Sequence, residues 1–181
     1  MTDVRTVVLL DDHGKPIGSA ERDGIHGLDT PLHLAFSCYL FDSRGRVLLS
    51  RRALTKKTWP GVWTNSFCGH PGWAEPIPAA IERHAQNELG VRVSAIRELL
   101  PEFRYRAVDA QGMVENEMCP VFAATTHDDI DANPDEVAEW TWVDPAAMVA
   151  AMTATPQVFS PWAALQVEQL AHLFEGSGVA A

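Results

Sequence analysis

Residues 69–91 run Gly69-His70-Pro71-Gly72-Trp73-Ala74-Glu75-Pro76-Ile77-Pro78-Ala79-Ala80-Ile81-Glu82-Arg83-His84-Ala85-Gln86-Asn87-Glu88-Leu89-Gly90-Val91. The opening Gly-His-Pro-Gly cannot continue a helix or a central strand. From Pro76 the pattern turns helical, with Ile77, Ile81, Ala85 and Leu89 recurring every four residues. The prolines stand at the start, where the first backbone N–H groups need no intrahelical partner. Gly90 stands just past the end, where a left-handed residue closes a helix. The stretch predicts a loop, a helix over 76–89 and a second loop.

Upstream, Thr6–Leu10 and Pro16–Ala20 flank Asp11-Asp12-His13-Gly14-Lys15 and read as a hairpin. His33–Phe41 is apolar enough for a buried strand. Asp42-Ser43-Arg44-Gly45 is a turn, and Arg46–Arg52 returns as a strand. Ala53–Pro60 is a basic loop, and Gly61–Cys68 is extended. Downstream, Phe103–Val108 and Val114–Thr125 form a strand pair around Asp109-Ala110-Gln111-Gly112. Asp144-Pro145 and Ser160-Pro161 each combine an N-cap with a first-turn proline, so two further helices start there. Asp128–Glu139 reads as a mobile cover or an ordinary acidic loop. Together these elements predict one mixed α/β (α+β) domain over 1–181, with mixed β-sheets, flanking helices and a core over about 5–175. The Gly/Ser/Ala-rich tail over 176–181 is expected to fray.

The formal net charge of -10, from 24 acidic and 14 basic residues, excludes a broad basic field for nucleic acid. It leaves room for one small basic pocket. Arg51-Arg52-Ala53-Leu54-Thr55-Lys56-Lys57 is the densest positive charge, either a solvated loop or a phosphate clamp. Cys38, Cys68 and Cys119 show no CxxC spacing, which argues for a reducing compartment over a disulfide framework. The N-terminal apolar run is too short for a signal segment, and no stretch approaches the ~20 apolar residues of a membrane helix. A cytoplasmic location is expected.

Strand alternation puts Glu115 and Glu117 on one face, with Asn116 and Met118 on the other. Two adjacent carboxylates repel when buried, so they must be solvated or share a cation. Three histidines, His26, His33 and His70, with this pair would make a mixed N/O site suited to zinc, manganese or magnesium, although spacing alone does not bring them together. His13, His127 and His172 are assigned to solvent. Cys68, followed by Gly69-His70, stands at a pocket edge, while Cys38 and Cys119 read as packing.

The Gly69–Val91 stretch, with Glu75, Arg83 and Glu88-Leu89-Gly90-Val91 at fixed spacing, resembles the Nudix box. A Nudix hydrolase would carry Glu at the place of His84 and a Glu pair at Asn87-Glu88, so only Glu88 of the acidic trio remains. Further segments are similar to type I isopentenyl-diphosphate isomerases. These are 32–37, 51–57, 59–65, Cys68-Gly69-His70-Pro71, Phe103-Arg104-Tyr105-Arg106, Glu115-Asn116-Glu117 and Phe159-Ser160-Pro161-Trp162.

That resemblance, from about Val7 to Trp162, implies a Nudix-like fold and reversible isomerisation of an isoprenoid diphosphate. Cys68 and Glu117 would move the protons, Tyr105 would bond Glu117, and Trp162 would face a cationic centre. His26, His33, His70, Glu115 and Glu117 would hold one divalent ion (manganese, zinc or magnesium). A Mg2+ bridging the diphosphate would use Glu88 and the Cys68 carbonyl. Arg22, Arg52, Lys56 and Arg83 would contact or steer the diphosphate, and the position after Arg83, often basic in the family, is here His84. The implied enzyme is a monomer or weak homodimer with no nucleic-acid or membrane partner. A Nudix-type diphosphohydrolase is the alternative, and a non-catalytic metal- or phosphate-binding module a third reading.

Overall fold

The computed structural model describes residues 6–176. The expectations for Met1–Arg5 and for the tail beyond Gly176 lie outside the described residues.

Two sheets build the molecule. The strands are β1 (Thr6–Leu10), β2 (Pro16–Glu21), β3 (His33–Leu34), β4 (Phe36–Phe41), β5 (Val47–Arg52), β6 (Trp63–Thr64), β7 (Phe67–Gly69), β8 (Ser94–Leu100), β9 (Arg104–Val108), β10 (Val114–Met118), β11 (Val121–Thr125) and β12 (Val137–Val143). One sheet has the order β2-β1-β3-β10-β9. The other has the order β12-β5-β4-β11-β8, with β6 paired to β5 and β7 to β4.

The two long strands expected over 33–41 and 114–125 are each broken, and both breaks pass the chain from one sheet to the other. The first falls at Ala35. The second falls at Cys119-Pro120, where proline lacks the N–H a ladder needs. The broken strands run parallel, and Ala35 N donates to Met118 O while Ser37 N donates to Pro120 O. The sheets therefore splay apart together, which opens a cleft between them.

The helices are α1 (Arg22–Ile25, one turn), α2 (Ile77–Leu89), α3 (Pro145–Ala154) and α4 (Pro161–Phe174), with a 3-10 turn at Pro156–Val158. Helix α2 agrees with the repeat of apolar residues, burying Ala80, Ile81, His84, Ala85 and Leu89. Gly90 ends it at φ 68°, and a Cβ there would lie 2.7 Å from the Asp131 carbonyl oxygen, so glycine is required twice over. Asp144 and Ser160 cap α3 and α4 through their side chains, as read from sequence. Strand β4 is buried on both sides. Phe36, Cys38 and Leu40 join the cluster under α2, while Tyr39 and Phe41 join the cluster under α3 and α4.

Strands β8 and β12 have no counterpart in the sequence reading. Both are edge strands whose charged residues blur the period of two. The acidic stretch after Asp128 is an ordered loop that becomes β12 at Val137. Asp131 N and Asn133 N donate to Leu89 O and Glu88 O, satisfying carbonyls at the end of α2. Among the described residues no helix is long and apolar enough to cross a membrane.

Candidate active site

The cleft holds a cavity of about 450 Å³. Strand pairing fills its floor. His33 of β3 is in register with Glu117 of β10, which is in register with Tyr105 of β9, so the three form one row across the first sheet. Cys68 of β7 is in register with Ser37 of β4 in the second sheet. Residues from both sheets thus face the same space. Cys68, His70, Arg22, His26, Arg52, Lys56, Arg83, Glu88, Tyr105, Glu115, Glu117 and Trp162 all line it.

Glu115 and Glu117 do share a face, and that face is buried rather than solvated, at 6% and 5% exposure. The Tyr105 hydroxyl lies 2.6 Å from Glu115 Oε2 and 2.8 Å from Glu117 Oε2, but its one hydrogen serves one of them at a time. Thr58 Oγ1, which sequence reasoning missed, donates to Glu115 Oε1 at 2.5 Å. Burial and the neighbouring Glu117 charge push the Glu115 carboxyl up. Burial also acts to raise Glu117, yet the His33 and His70 imidazoles facing it hold it well below the usual carboxylate range.

His26, His33, His70 and Glu117 bring four donor atoms within 4.8 Å of one another. The rings of His26, His33 and His70 stand 5.1 to 6.0 Å apart. His33 Nδ1 bonds the Pro31 carbonyl, so Nδ1 carries a hydrogen and Nε2 looks toward Glu117 Oε1 at 3.3 Å. The Nε2 atoms of His26 and His33 are buried without a hydrogen-bond partner. Burial pushes His26 down to about 4, so its ring stays neutral and free to ligate at neutral pH. Lone pairs and a carboxylate converging in a buried place fit a divalent cation. Glu115 lies outside this tight group, two residues before Glu117 on β10 and held by Thr58 and Tyr105.

Cys68 is half-buried, its sulfur 3.2 Å from Ser37 Oγ and its thiol donating to Asn65 Oδ1 at 3.3 Å. Burial pushes it up to about 12 against those two bonds, so the group is a thiol at neutral pH. Cys38 and Cys119 are buried packing residues, as read. Glu88 accepts from His84 Nδ1 at 2.7 Å, which keeps its carboxyl below the usual range despite burial. Helix α2 therefore offers the cavity one carboxylate, with His84 and Asn87 beside it.

The four cations differ in their engagement. Arg83 grips Glu75 at 2.9 and 2.7 Å and also donates to the His70 carbonyl, which ties down the turn carrying His70. Lys56 pairs with Glu136, eighty positions away in sequence and invisible to local reading. Arg52 donates to the Thr58 and Trp59 carbonyls and lies over the Trp162 ring at 5.3 Å. Arg22 has no ion pair with a carboxylate among the described residues. Trp162 is both a core aromatic, 2% exposed, and part of the cavity wall, packed on Trp59 and Tyr105. Trp59 itself is held at φ 43°, a left-handed conformation that aims its carbonyl at Arg52.

A NUDIX domain profile matches residues 31–163. The isopentenyl-diphosphate Delta-isomerase of Paenarthrobacter aurescens (strain TC1) is 58% identical over 170 residues, 94% of this chain and 92% of that protein. The chain belongs to this isomerase family within the NUDIX fold. The Klebsiella pneumoniae (strain ATCC 700721 / MGH 78578) isopentenyl-diphosphate Delta-isomerase is 52% identical over 162 residues, covering 90% of this chain and 88% of that one. Among solved structures, a Deinococcus radiodurans protein superposes with TM-score 0.68 at 18% identity, over 91% of this chain and 98% of its own. The MutT protein from Methanosarcina mazei Go1 gives 0.63 at 15%, over 83% and 100%. These distant likenesses concern the fold alone.

Proposed function

We propose that the chain interconverts isopentenyl and dimethylallyl diphosphates, moving one proton onto a carbon–carbon double bond and another off. The observation that carries this reading is the meeting of a thiol and a buried His/Glu donor set in one cavity whose rim is cationic. Arg22, Arg52 and Lys56 receive the diphosphate, with Arg83 bracing the His70 turn beside them.

Protonating an unactivated alkene leaves a tertiary cation, so the site must supply an acid, a base and an aromatic surface and keep water out. Cys68, held as a thiol on the second sheet, and Glu117, held as a carboxylate on the first, approach the substrate from opposite walls. One group gives its proton to one end of the double bond, the other takes a different proton from the carbon across the cationic centre, and the roles exchange in the reverse direction. Tyr105 steers Glu117 through its hydroxyl. Trp162 offers its π surface to the cationic centre, worth about 2 kcal/mol in a desolvated site. A divalent ion (manganese, zinc or magnesium) held by His26, His33, His70, Glu115 and Glu117 would fix Glu117 and tune its acidity, and Mg2+ at Glu88 and the Cys68 carbonyl would offset diphosphate charge.

Three free cysteines support a cytoplasmic setting. The net charge of -10 supports a small-molecule substrate over nucleic acid, and a monomer or weak homodimer suffices for a site lined by one chain. A Nudix diphosphohydrolase is disfavoured because His84 and Asn87 stand where it would carry carboxylates.

The test is incubation of metal-replete protein with isopentenyl diphosphate in deuterated buffer. Labelled dimethylallyl diphosphate should appear without phosphate release, and Cys68→Ala and Glu117→Gln should each abolish turnover while remaining folded. Phosphate release by the parent protein, or full turnover by Cys68→Ala, would overturn the reading.

A further inference from the structure

Beneath Cys68 lies a chain of polar side chains that the core has no packing reason to contain. Ser37, Tyr39, Asn65 and Gln166 are each 0% exposed. Burying polar groups costs free energy unless every one is hydrogen-bonded, and here they are bonded in a single directed series. The Tyr39 hydroxyl donates to Gln166 Oε1 at 3.1 Å, and Gln166 Nε2 donates to Ser37 Oγ at 2.8 Å. Ser37 Oγ stands 3.2 Å from Cys68 Sγ and 3.4 Å from Cys119 Sγ. With the Cys68 hydrogen given to Asn65 Oδ1 and one Ser37 lone pair taken by Gln166, the Ser37 hydroxyl is the donor toward Cys68, the nearer of the two sulfurs it faces.

On the other side of Cys68, the Asn65 amide cannot flip. Its Nδ2 donates to the carbonyls of Cys38 and Phe67 at 3.1 and 2.9 Å. Its Oδ1 is therefore aimed at Cys68, and it also accepts from Trp162 Nε1 at 3.1 Å and from Thr64 Oγ1 at 2.8 Å. One oxygen thus couples the thiol of the second sheet to the indole on α4. Ser160, the N-cap of α4, closes the loop through a 2.6 Å bond to Thr64.

We infer that Ser37 and Asn65 are positioning residues for Cys68, and that Gln166 sets the direction of the Ser37 hydroxyl. The sulfur sits between a donated O–H and a fixed amide oxygen. Its rotamer is set before substrate arrives, and the Ser37 hydroxyl meets the charge left when Cys68 gives up its proton. Asn65 holds Trp162 in the same frame, so thiol and aromatic face keep their spacing.

This inference rests on the isomerase reading, so its test has one readout within catalysis and one outside it. Ser37→Ala should lower kcat roughly 10–100-fold with KM within about threefold, since the diphosphate cations are untouched. Ser37→Thr, which keeps a hydroxyl, should recover most of the loss. Gln166→Met, which leaves Ser37 undirected, should lie between the two. The second readout is the S–H stretching band of Cys68, isolated by Raman difference against Cys68→Ser. It should move in Ser37→Ala and return in Ser37→Thr. A parent protein without turnover defeats the isomerase reading but leaves the Raman arm decisive. An unmoved S–H band, or kcat within twofold of the parent in Ser37→Ala, overturns the positioning role. Should Ser37→Ala fail to fold, Gln166→Met is judged on the same two criteria.

Discussion

His33 Nε2 faces Glu117 Oε1 across 3.3 Å, and Pro31 has already claimed the hydrogen on the other ring nitrogen. A lone pair and a carboxylate oxygen cannot share that gap without a cation between them. The Glu117 carboxylate draws positive charge into that gap, which is why it raises His33 although burial works the other way. Stripping divalent ions should therefore lower thermal stability, and restoring them should raise it. An ion at a hundredfold excess over its Kd stabilises by about 2.7 kcal/mol, roughly 5–10 °C in a chain of this size. Calorimetry with and without chelator checks this, and no shift on adding manganese, zinc or magnesium would remove the metal from the His/Glu cluster.

Tyr105→Phe isolates the shared hydroxyl. The ring and its packing against Phe103 and Trp162 remain, while two buried carboxylates lose a donor. Leaving a buried acceptor unsatisfied costs about 1–3 kcal/mol, to be read from urea unfolding. Turnover should fall on the order of 100-fold, because Glu117 loses the group that steers it, with KM little changed. Turnover at the parent level would show that the histidines alone orient Glu117.

These relationships were unevenly legible in the sequence. Helix α2, its proline start and glycine stop, and the caps at Asp144 and Ser160 are local signals that the fold obeys. The face shared by Glu115 and Glu117 follows from parity, but its burial depends on which sheet crosses it, and strand alternation carries no such information. Ala35 and Pro120 interrupt what reads as continuous strand because the decision to change sheets is made by partners far along the chain. Ser37 and Asn65 end two of the segments that resemble the isomerase family, yet no role is legible for either, since a buried hydroxyl or amide is recognisable only by the atoms around it. The family resemblance implies Arg83 as a diphosphate contact, while its engagement by Glu75 emerges only from the α2 geometry.

The Cys68 thiol gives a pH prediction with a definite sign. Burial raises it to about 12 from an ordinary 9. A raised value favours the protonated form, so the thiolate fraction should keep climbing about tenfold per pH unit through the point where a free thiol levels off. Iodoacetamide labelling of the Cys68 peptide, followed by mass spectrometry, should show that slope unbroken from about pH 7 to 10. For the same reason the unfolded chain, ionising first, draws stability away from the fold as pH rises from 9 toward 12. A labelling plateau below pH 9 would mean that the thiol is activated.

Gly69→Ala tests how tightly the turn is built against α2. A Cβ at Gly69 would sit 2.5 Å from three atoms of the His84 ring, which is tethered to Glu88 and packed edge-on against Phe36. The ring is tethered to Glu88, packed on Phe36 and otherwise borders the cavity, so the added methyl must displace the Glu88 bond, the ring itself or the strand that carries Cys68. Overpacking of this kind costs about 1–3 kcal/mol. In a His84→Ala background the methyl meets no ring, so the same substitution should cost less. The coupling energy between the two positions should reach about 0.5–3 kcal/mol in a double-mutant cycle of unfolding free energies. Strict additivity would show that the turn yields elsewhere, and that His84 does not brace the Gly69-His70 segment against the cavity.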